Sequence, residues 1–160
     1  MKKVLAGLLA VSFICLLSSC AGTSPEIELP DVSTVSAGLV ERLEFDDVME
    51  KTEHSDTVVA KYGLDDGAVH EVSRYVGSGA TADEVAVFEC VDEKSTVAVK
   101  EAINDRIKYL HDGYSNYGPE EVPKIDNAVV LTYGTKVVFC ICKNSAEVSS
   151  VVEELALNNN

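Results

Sequence analysis

The chain is short and acidic, with 160 residues, 27 Asp and Glu against 13 Lys and Arg, and a formal net charge of −14. A chain of this length builds one hydrophobic core. Binding to nucleic acid without sequence preference needs clustered Lys and Arg, so the composition excludes that function and also electrostatic attraction to anionic lipid. We therefore expect one acidic domain without a nucleic-acid partner.

The first twenty residues predict export and lipidation. A positive start precedes an apolar run at 4–17, which is too short for a permanent membrane span. The next residues, Leu17, Ser18, Ser19 and Cys20, resemble the lipobox of bacterial lipoproteins, in which the cysteine is acylated and becomes the new N-terminus. We predict a signal peptide at 1–19 and lipidation of Cys20. Acyl chains such as palmitate would anchor an extracytoplasmic domain to the cell membrane, which is its partner. The alternative is a secretory signal cleaved elsewhere.

The segments that flank the domain are polar. Residues 20–32 contain Gly, Ser, Thr and Pro in a composition typical of a flexible tether. Residues 158–160 are three asparagines and predict a disordered tail. The folded domain is therefore expected at 33–157.

The first half of this domain contains two helical and two strand patterns. Apolar residues at helical spacing predict an amphipathic helix at 33–43, with Gly38 as an unfavourable residue inside it. A short helix starts near Ser55 and ends at Gly63, which supplies a left-handed C-terminal position. Two strands at 70–76 and 84–91, separated by glycines, should pair antiparallel.

The second half begins with a long helix and a loop. Asp92 can cap a helix that ends near 111–113, with an apolar stripe formed by Val99, Ile103, Ile107 and Leu110. The connection at 112–126 contains Pro119, which could open one helical turn.

The C-terminal part predicts a hairpin and a helix. Strands at 128–133 and 136–142 flank Gly134 and Thr135, a two-residue loop suited to a type II′ turn. Asn144, with Glu147 three residues later, resembles a capping box that starts the last helix. Both hairpin strands are apolar on both faces, so we expect them to be central and covered on both sides, or to meet a partner on one face.

These elements predict an α+β fold. Four strands should form a mostly antiparallel sheet, and the helices should pack on one face of it as a two-layer sandwich.

Three cysteines besides Cys20 fall within the domain, namely Cys90, Cys140 and Cys142. Cys140 and Cys142 share one face of a strand at a spacing unsuited to a disulfide. We expect buried reduced thiols, which act as small apolar residues. A bridge from Cys90 to either of the others stays open as an alternative, and a metal site is a weaker one because paired metal-ligand spacing is missing.

Catalytic patterns are missing from the sequence. His54, His70 and His111 lie in separate segments without metal-ligand spacing. A site that joins His70 to Asp65 or Asp66 is the alternative to a solvated turn. The GxG pattern at 77–79 could cradle phosphate, but it lies between two strands without a following helix, so a turn is the preferred interpretation. We expect no catalytic residue, no metal and no cofactor.

A group of tyrosines is the candidate binding surface. Tyr109, Tyr114 and Tyr117 are concentrated before Gly118 and Pro119. An aromatic face with a polar tip suits recognition of a peptide or glycan. The alternative is that these rings cover the end of the sheet.

Three stretches carry a family resemblance: 62–65, 79–88 and 117–121, of which Ala82, Asp83 and Glu84 at the start of a strand are the most specific. They resemble a family of uncharacterised lipoproteins of low-GC Gram-positive bacteria that carry a single domain of unknown function. The resemblance covers roughly residues 39–155 and implies an anchored extracytoplasmic domain, without implying an activity or ligand.

Together these patterns predict a non-enzymatic binding or interaction module anchored to the cell membrane, with an unknown envelope protein or ligand as its partner. The alternatives are a cell-envelope hydrolase and a subunit of an envelope assembly.

Overall fold

The computed structural model describes residues 27–52, 55–65 and 67–158. The predicted signal peptide and the lipidation site Cys20 lie outside the described residues, as do His54, Asp66 and residues 159–160. Leu29 and Val32, which the sequence places in the tether, are buried in the core. Within the described part of the chain, no helix is long and apolar enough to cross a membrane.

Five antiparallel strands form one open sheet in the order β1-β2-β3-β5-β4. They are β1 Glu50–Lys51, β2 Val69–Val76, β3 Glu84–Cys90, β4 Val129–Tyr133 and β5 Lys136–Ile141. The predicted antiparallel sheet within an α+β fold is confirmed. The predicted number of four strands is wrong, because β1 is too short to show an alternating pattern and is defined by its pairing with β2.

Helices cover both faces of the sheet. They are α1 Val32–Arg42, α2 Ser55–Lys61, α3 Ser95–Tyr117, α4 Val122–Asp126 and α5 Val148–Leu157. α1 and α5 pack on the face that presents Val85 and Val138, whereas α2, α3 and α4 pack on the face that presents Phe88 and Phe139. The predicted two-layer sandwich is therefore wrong, and the domain has three layers. The physical reason is that β3 and β5 are apolar on both faces, so each face needs a cover.

The C-terminal hairpin forms as predicted, but only one of its strands is central. Gly134 has a φ of 55°, and no described non-glycine residue has a positive φ, as a type II′ turn with glycine first requires. β5 lies between β3 and β4, and its residues from Val137 to Ile141 are buried. β4 lies at the edge of the sheet and is half-buried, so the prediction of a central position holds for β5 alone.

α3 is longer than the sequence predicts. Asp92 accepts a hydrogen bond from the backbone N–H of Ser95 at 2.8 Å, as expected of a cap. The helix then continues through Gly113 to Tyr117. Glycine inside a helix costs about 1 kcal/mol relative to alanine, but Tyr114 extends the buried stripe by one turn and its burial outweighs that cost. The predicted helical turn after Gly118 is a 3-10 turn at Pro119–Glu121.

The predicted capping box before α5 is only partly present. A 3-10 turn at Ser145–Glu147 precedes the helix. The amide nitrogen of Asn144 donates to Glu147 Oε2 at 2.7 Å, but its amide oxygen accepts from the backbone N–H of Glu44 at 2.9 Å. Asn144 therefore joins α5 to the segment after α1 instead of closing the box.

Candidate functional site

The carboxylate of Glu84, at the start of β3, is buried among three donors. Its Oε1 accepts from the Tyr62 hydroxyl at 2.7 Å and from Arg74 Nε at 2.6 Å. Its Oε2 accepts from Arg106 Nε at 3.1 Å and from Nη2 at 2.8 Å. Tyr62 follows α2, Arg74 lies on β2 and Arg106 lies on α3, so one carboxylate connects three elements to β3.

Electrostatics keep Glu84 ionised. Burial alone would raise the pKa of the Glu84 carboxyl, but the guanidinium charges of Arg74 and Arg106 outweigh burial and lower it. Burial and the charge of Glu84 raise the pKa of the Tyr62 hydroxyl well above its ordinary value. At neutral pH the group is therefore a carboxylate that receives four hydrogen bonds.

Two surface hollows meet beside this network. The larger one, of about 460 Å³, lies between the end of α2 and the middle of α3 and includes Ala60, Gly63, Ala102, Asp105 and Tyr109 in its lining. The smaller one, of about 250 Å³, extends from the same place towards the 77–81 loop. Lys61 and Arg106 line both hollows, which we together call the cationic groove.

Lys61 is the exposed cation of this groove. Partial burial and then the charges of Arg106 and Arg74 lower the pKa of the Lys61 ammonium, against a weaker opposing effect of Glu84. Within the described residues, no carboxylate oxygen lies within 4.0 Å of its Nζ. The fold therefore places a third cation, Lys61, in the same hollow as the two arginines that share Glu84.

A second charged cluster stabilises the loop next to the groove. The Lys124 ammonium, on α4, contacts Asp46 Oδ2 at 2.8 Å, Asp83 Oδ1 at 2.7 Å and Glu121 Oε2 at 2.8 Å. Asp83 Oδ2 also accepts from the backbone N–H of Asp46 at 2.8 Å. Burial opposes the charge of Lys124, but its three carboxylate partners raise the pKa of the ammonium. This cluster is satisfied internally and joins α4 to β3.

The GxG pattern at 77–79 is a turn between β2 and β3. Gly79 has a φ of 94°, which favours glycine. The backbone N–H of Ser78 donates to Asp47 Oδ2 at 2.7 Å, and the N–H of Gly77 donates to the carbonyl of Asp83 at 3.1 Å. Since these two N–H groups already have acceptors within the protein, neither is free to bind a phosphate.

The predicted tyrosine surface is divided between the core and the solvent. Tyr114 is 2% exposed, and its hydroxyl donates towards the carbonyl oxygens of Thr81 and Gly79. Tyr117 is 65% exposed and lies against the Tyr114 ring. Tyr109 is 71% exposed, and its ring centroid lies 5.6 Å from the Arg106 guanidinium. Tyr109 thus belongs to the cationic groove, Tyr114 supports the loop from below, and a binding role for the three stays a prediction.

The two histidines that the structure describes, His70 and His111, lie on different elements, β2 and α3. His70 on β2 is exposed, and in the part of the chain that the structure describes no carboxylate oxygen lies within 4.0 Å of its imidazole. His111 lies 3.6 Å from Asp126 and 3.8 Å from Asp112, all at the surface. Among residues 27–52, 55–65 and 67–158, no group of three His, Cys, Asp or Glu side chains could hold a metal ion. The hydrolase alternative gains no support from this geometry.

The three cysteines within the described residues are free and buried. Cys90 faces α3, whereas Cys140 and Cys142 face α1 and α5 on the other side of the sheet. The bridge left open by the sequence is therefore blocked, because the sheet itself separates Cys90 from the other two thiols. Burial raises the pKa of the Cys90 thiol to about 11.

Sequence reasoning missed the charged residues of the site: Lys61, Arg74, Glu84, Arg106 and Lys124. The local signal is that Glu84 directly precedes four apolar residues, 85–88, at the start of a strand. A carboxylate at the start of a buried strand needs a cationic partner, but nothing in the sequence indicates which of the distant arginines supplies it.

The fold and the groove define an α+β domain of three layers, with a central antiparallel sheet and a cationic surface groove beside one end of it. The chain belongs to the family described as domain of unknown function (DUF4358), whose model matches residues 42–142. No curated protein and no solved structure matches the chain.

Proposed function

We propose that this protein is a non-enzymatic binding module, anchored through lipidated Cys20 to the outer face of the cytoplasmic membrane. The anchor is supported by the lipobox-like residues that end at Cys20. The binding role is supported by one observation, the cationic groove between α2 and α3. The groove brings cations, an aromatic ring and small residues together, which are groups that hold and orient a ligand.

The groove is preorganised. Glu84 holds the Arg106 guanidinium from one side, and the Tyr109 ring lies against the same guanidinium. A cation that is fixed before binding loses less conformational entropy when a ligand arrives. This rigidity favours recognition of a ligand as the role of the groove.

The anchor is tested by incorporation of labelled palmitate into the full chain expressed in a bacterium. We expect label in the wild-type protein, no label in a Cys20→Ala variant, and unchanged label in a Cys15→Ala variant as the control. Label that persists after Cys20→Ala would contradict the proposed anchor.

The binding role is tested with a photo-crosslinking amino acid at position 109, inside the groove, on intact cells. The matched control places the same amino acid at position 157, which is 75% exposed at the end of α5. A defined adduct at position 109 that is missing at position 157 supports the proposal. Equal adducts at both positions, or none at position 109, would contradict it.

One observation favours a second candidate, a subunit of an envelope assembly. β4, at the edge of the sheet, carries no charged residue between Val129 and Tyr133. An uncharged edge strand can pair with another strand. Light scattering on the purified protein tests this: a defined oligomer favours an assembly, and a monomer at micromolar concentration argues against self-assembly through β4.

A further inference from the structure

We propose that the cationic groove binds a tetrahedral oxyanion, the phosphate group of a small phosphorylated ligand, between Lys61 and Arg106. This inference rests on the proposed binding function and adds to it the chemical class of the ligand. It is carried by the charges around the groove, by the donors that the protein leaves unused there, and by the shape of the larger hollow.

Charged side chains that line the cationic groove are the first support for this ligand. The formal charge of the chain is −14, yet Lys61, Arg74 and Arg106 meet at this groove. Glu84 is shared by the two arginines, and Asp83, the other carboxylate of the smaller hollow, contacts Lys124, which it shares with Asp46 and Glu121. Asp105 lines the larger hollow, and within the described residues none of these three carboxylates lies within 4.0 Å of the Lys61 ammonium. A lysine without a carboxylate partner, beside two arginines that share one carboxylate, favours an anionic ligand, which would relieve the repulsion between the cations.

Two hydrogen-bond donors of the groove also have no acceptor within the described residues. Arg106 uses Nε and Nη2 on Glu84, and Nη1 has no acceptor among the described residues. The Lys61 ammonium has no hydrogen-bonded partner within the same described part of the chain. A guanidinium N–H and an ammonium that line the same two hollows match the oxygens of phosphate, and such charge-assisted hydrogen bonds are the strong ones.

The larger hollow leaves room for more than the anion. Its volume of about 460 Å³ lies within the range of small-molecule sites. Ala60, Gly63 and Ala102 provide small side chains in its lining, and the exposed Tyr109 ring stands at its side. A polar carbon skeleton attached to the phosphate could therefore lie over these residues, with one face against the tyrosine.

The experiment is an NMR titration of the purified full chain with inorganic phosphate, at ionic strength held constant with sodium chloride. We expect saturable shifts of the amides of Lys61, Gly63 and Arg106, with a Kd on the order of 1 mM. Shifts that do not saturate, or that occur away from α2 and α3, would overturn the proposal.

Variants of Lys61 show whether the site is the one proposed. Lys61→Met should weaken phosphate binding by at least about tenfold, because a charged hydrogen bond is lost, and Lys61→Arg should restore most of it. Since Lys61 is exposed, these variants are expected to fold. Lys108→Met, which removes an exposed charge from α3 outside the groove, is the matched control and should bind as wild type. Equal loss of phosphate binding in Lys61→Met and Lys108→Met would show that only the net charge of the protein matters, and would overturn the proposed site.

Two further experiments identify the source of the phosphate. Together with the crosslink at position 109, the phosphate titration distinguishes failure of this inference from failure of the proposed function. Glycerol phosphate that competes at the groove supports a soluble phosphorylated ligand. Binding only to vesicles of phosphatidylglycerol, compared with phosphatidylcholine, would assign the headgroup of a lipid and overturn a soluble ligand. If phosphate does not bind while the crosslink at position 109 persists, only the oxyanion inference fails. If both fail, the binding function fails as well.

Discussion

At the scale of single residues, Glu84 determines the energetics of the site. Its carboxylate is buried and binds Arg74 and Arg106, whose side chains are 6% and 12% exposed. A buried ion pair contributes little net stability compared with apolar residues, but removal of one partner leaves the other charge buried without compensation. The network is therefore sensitive to any change that removes the charge of Glu84 alone.

We expect Glu84→Gln to lower the free energy of unfolding by about 3–5 kcal/mol, because the buried Arg74 and the partly buried Arg106 lose their shared carboxylate. Urea denaturation followed by circular dichroism measures the change. Glu89→Gln is the control, since it removes a half-buried carboxylate that pairs with Lys136 at 2.6 Å, and it should cost about 1 kcal/mol or less. A Glu84→Gln variant no less stable than Glu89→Gln would contradict this account.

The same residue should make stability depend on pH in a predictable direction. Although burial alone would raise it, the pKa of Glu84 in the folded protein lies below its ordinary value of 4.5 because of the two arginines. The stabilisation is therefore complete above pH 4.5 and is lost as the pH falls through the folded pKa. We expect the stability difference between wild type and Glu84→Gln to be constant from pH 6 to 7 and to shrink progressively below about pH 4.5. A difference that stays constant to pH 3 would contradict this linkage.

At the scale of elements, Gly38 explains how α1 approaches α5. A Cβ at this position would lie 2.5 Å from Leu155 Cδ2. Glycine inside α1 has a poor helix propensity, but it allows the two helices to pack closely on one face of the sheet. The residue that appears unfavourable in the sequence is therefore required by the packing of its helix.

We expect Gly38→Ala to destabilise the protein by about 1–3 kcal/mol, because overpacking against Leu155 outweighs the gain in helix propensity. Leu155→Val alone should also destabilise it, through lost burial. The double variant should be more stable than the sum of the single changes implies, since the smaller side chain makes room for the new methyl group. Thermal and urea unfolding of the four proteins measure the coupling, and strictly additive effects would contradict a direct clash.

At the scale of the whole molecule, the three-layer arrangement places the thiols beyond the reach of solvent. Cys90, Cys140 and Cys142 are each at most 3% exposed. A hydrogen bond from Cys140 lowers the pKa of the Cys142 thiol and raises that of Cys140. The reactivity of these thiols is therefore controlled by opening of the fold as well as by the proportion of thiolate.

We expect the three thiols to be unreactive in the native protein and to react fully in denaturant without reductant. Under conditions that allow slow opening, Cys142 should be labelled first, because it lines a surface hollow next to Lys124 and has the lowered pKa. Mass spectrometry of pulse-labelled protein measures the order. Rapid labelling of Cys90 in the native state, or a single free thiol after denaturation, would contradict the arrangement described above. Ser150→Cys, at an exposed position of α5, is the reactive control.

The sequence by itself determined those features that depend on neighbours along the chain. Short runs of β-branched and aromatic residues predicted β3 and β5, the Gly134 loop predicted the hairpin, and helical spacing predicted α1 and α5, because each pattern is contained within a few residues. The lipobox-like residues are local in the same sense, and lipidation of Cys20 stays a prediction.

Tertiary structure decided everything that depends on residues far apart in the chain. β1 is defined only by its pairing with β2. α3 continues beyond Gly113 because the side chain of Tyr114 is buried beneath the 79–81 loop. Which helices cover each face of the sheet depends on how the apolar stripe of each helix packs against that face. The cationic groove depends on Glu84 drawing Arg74 and Arg106 together from β2 and α3. Burial of a charge demands a partner, but only the packed fold determines which residue is near enough to provide it.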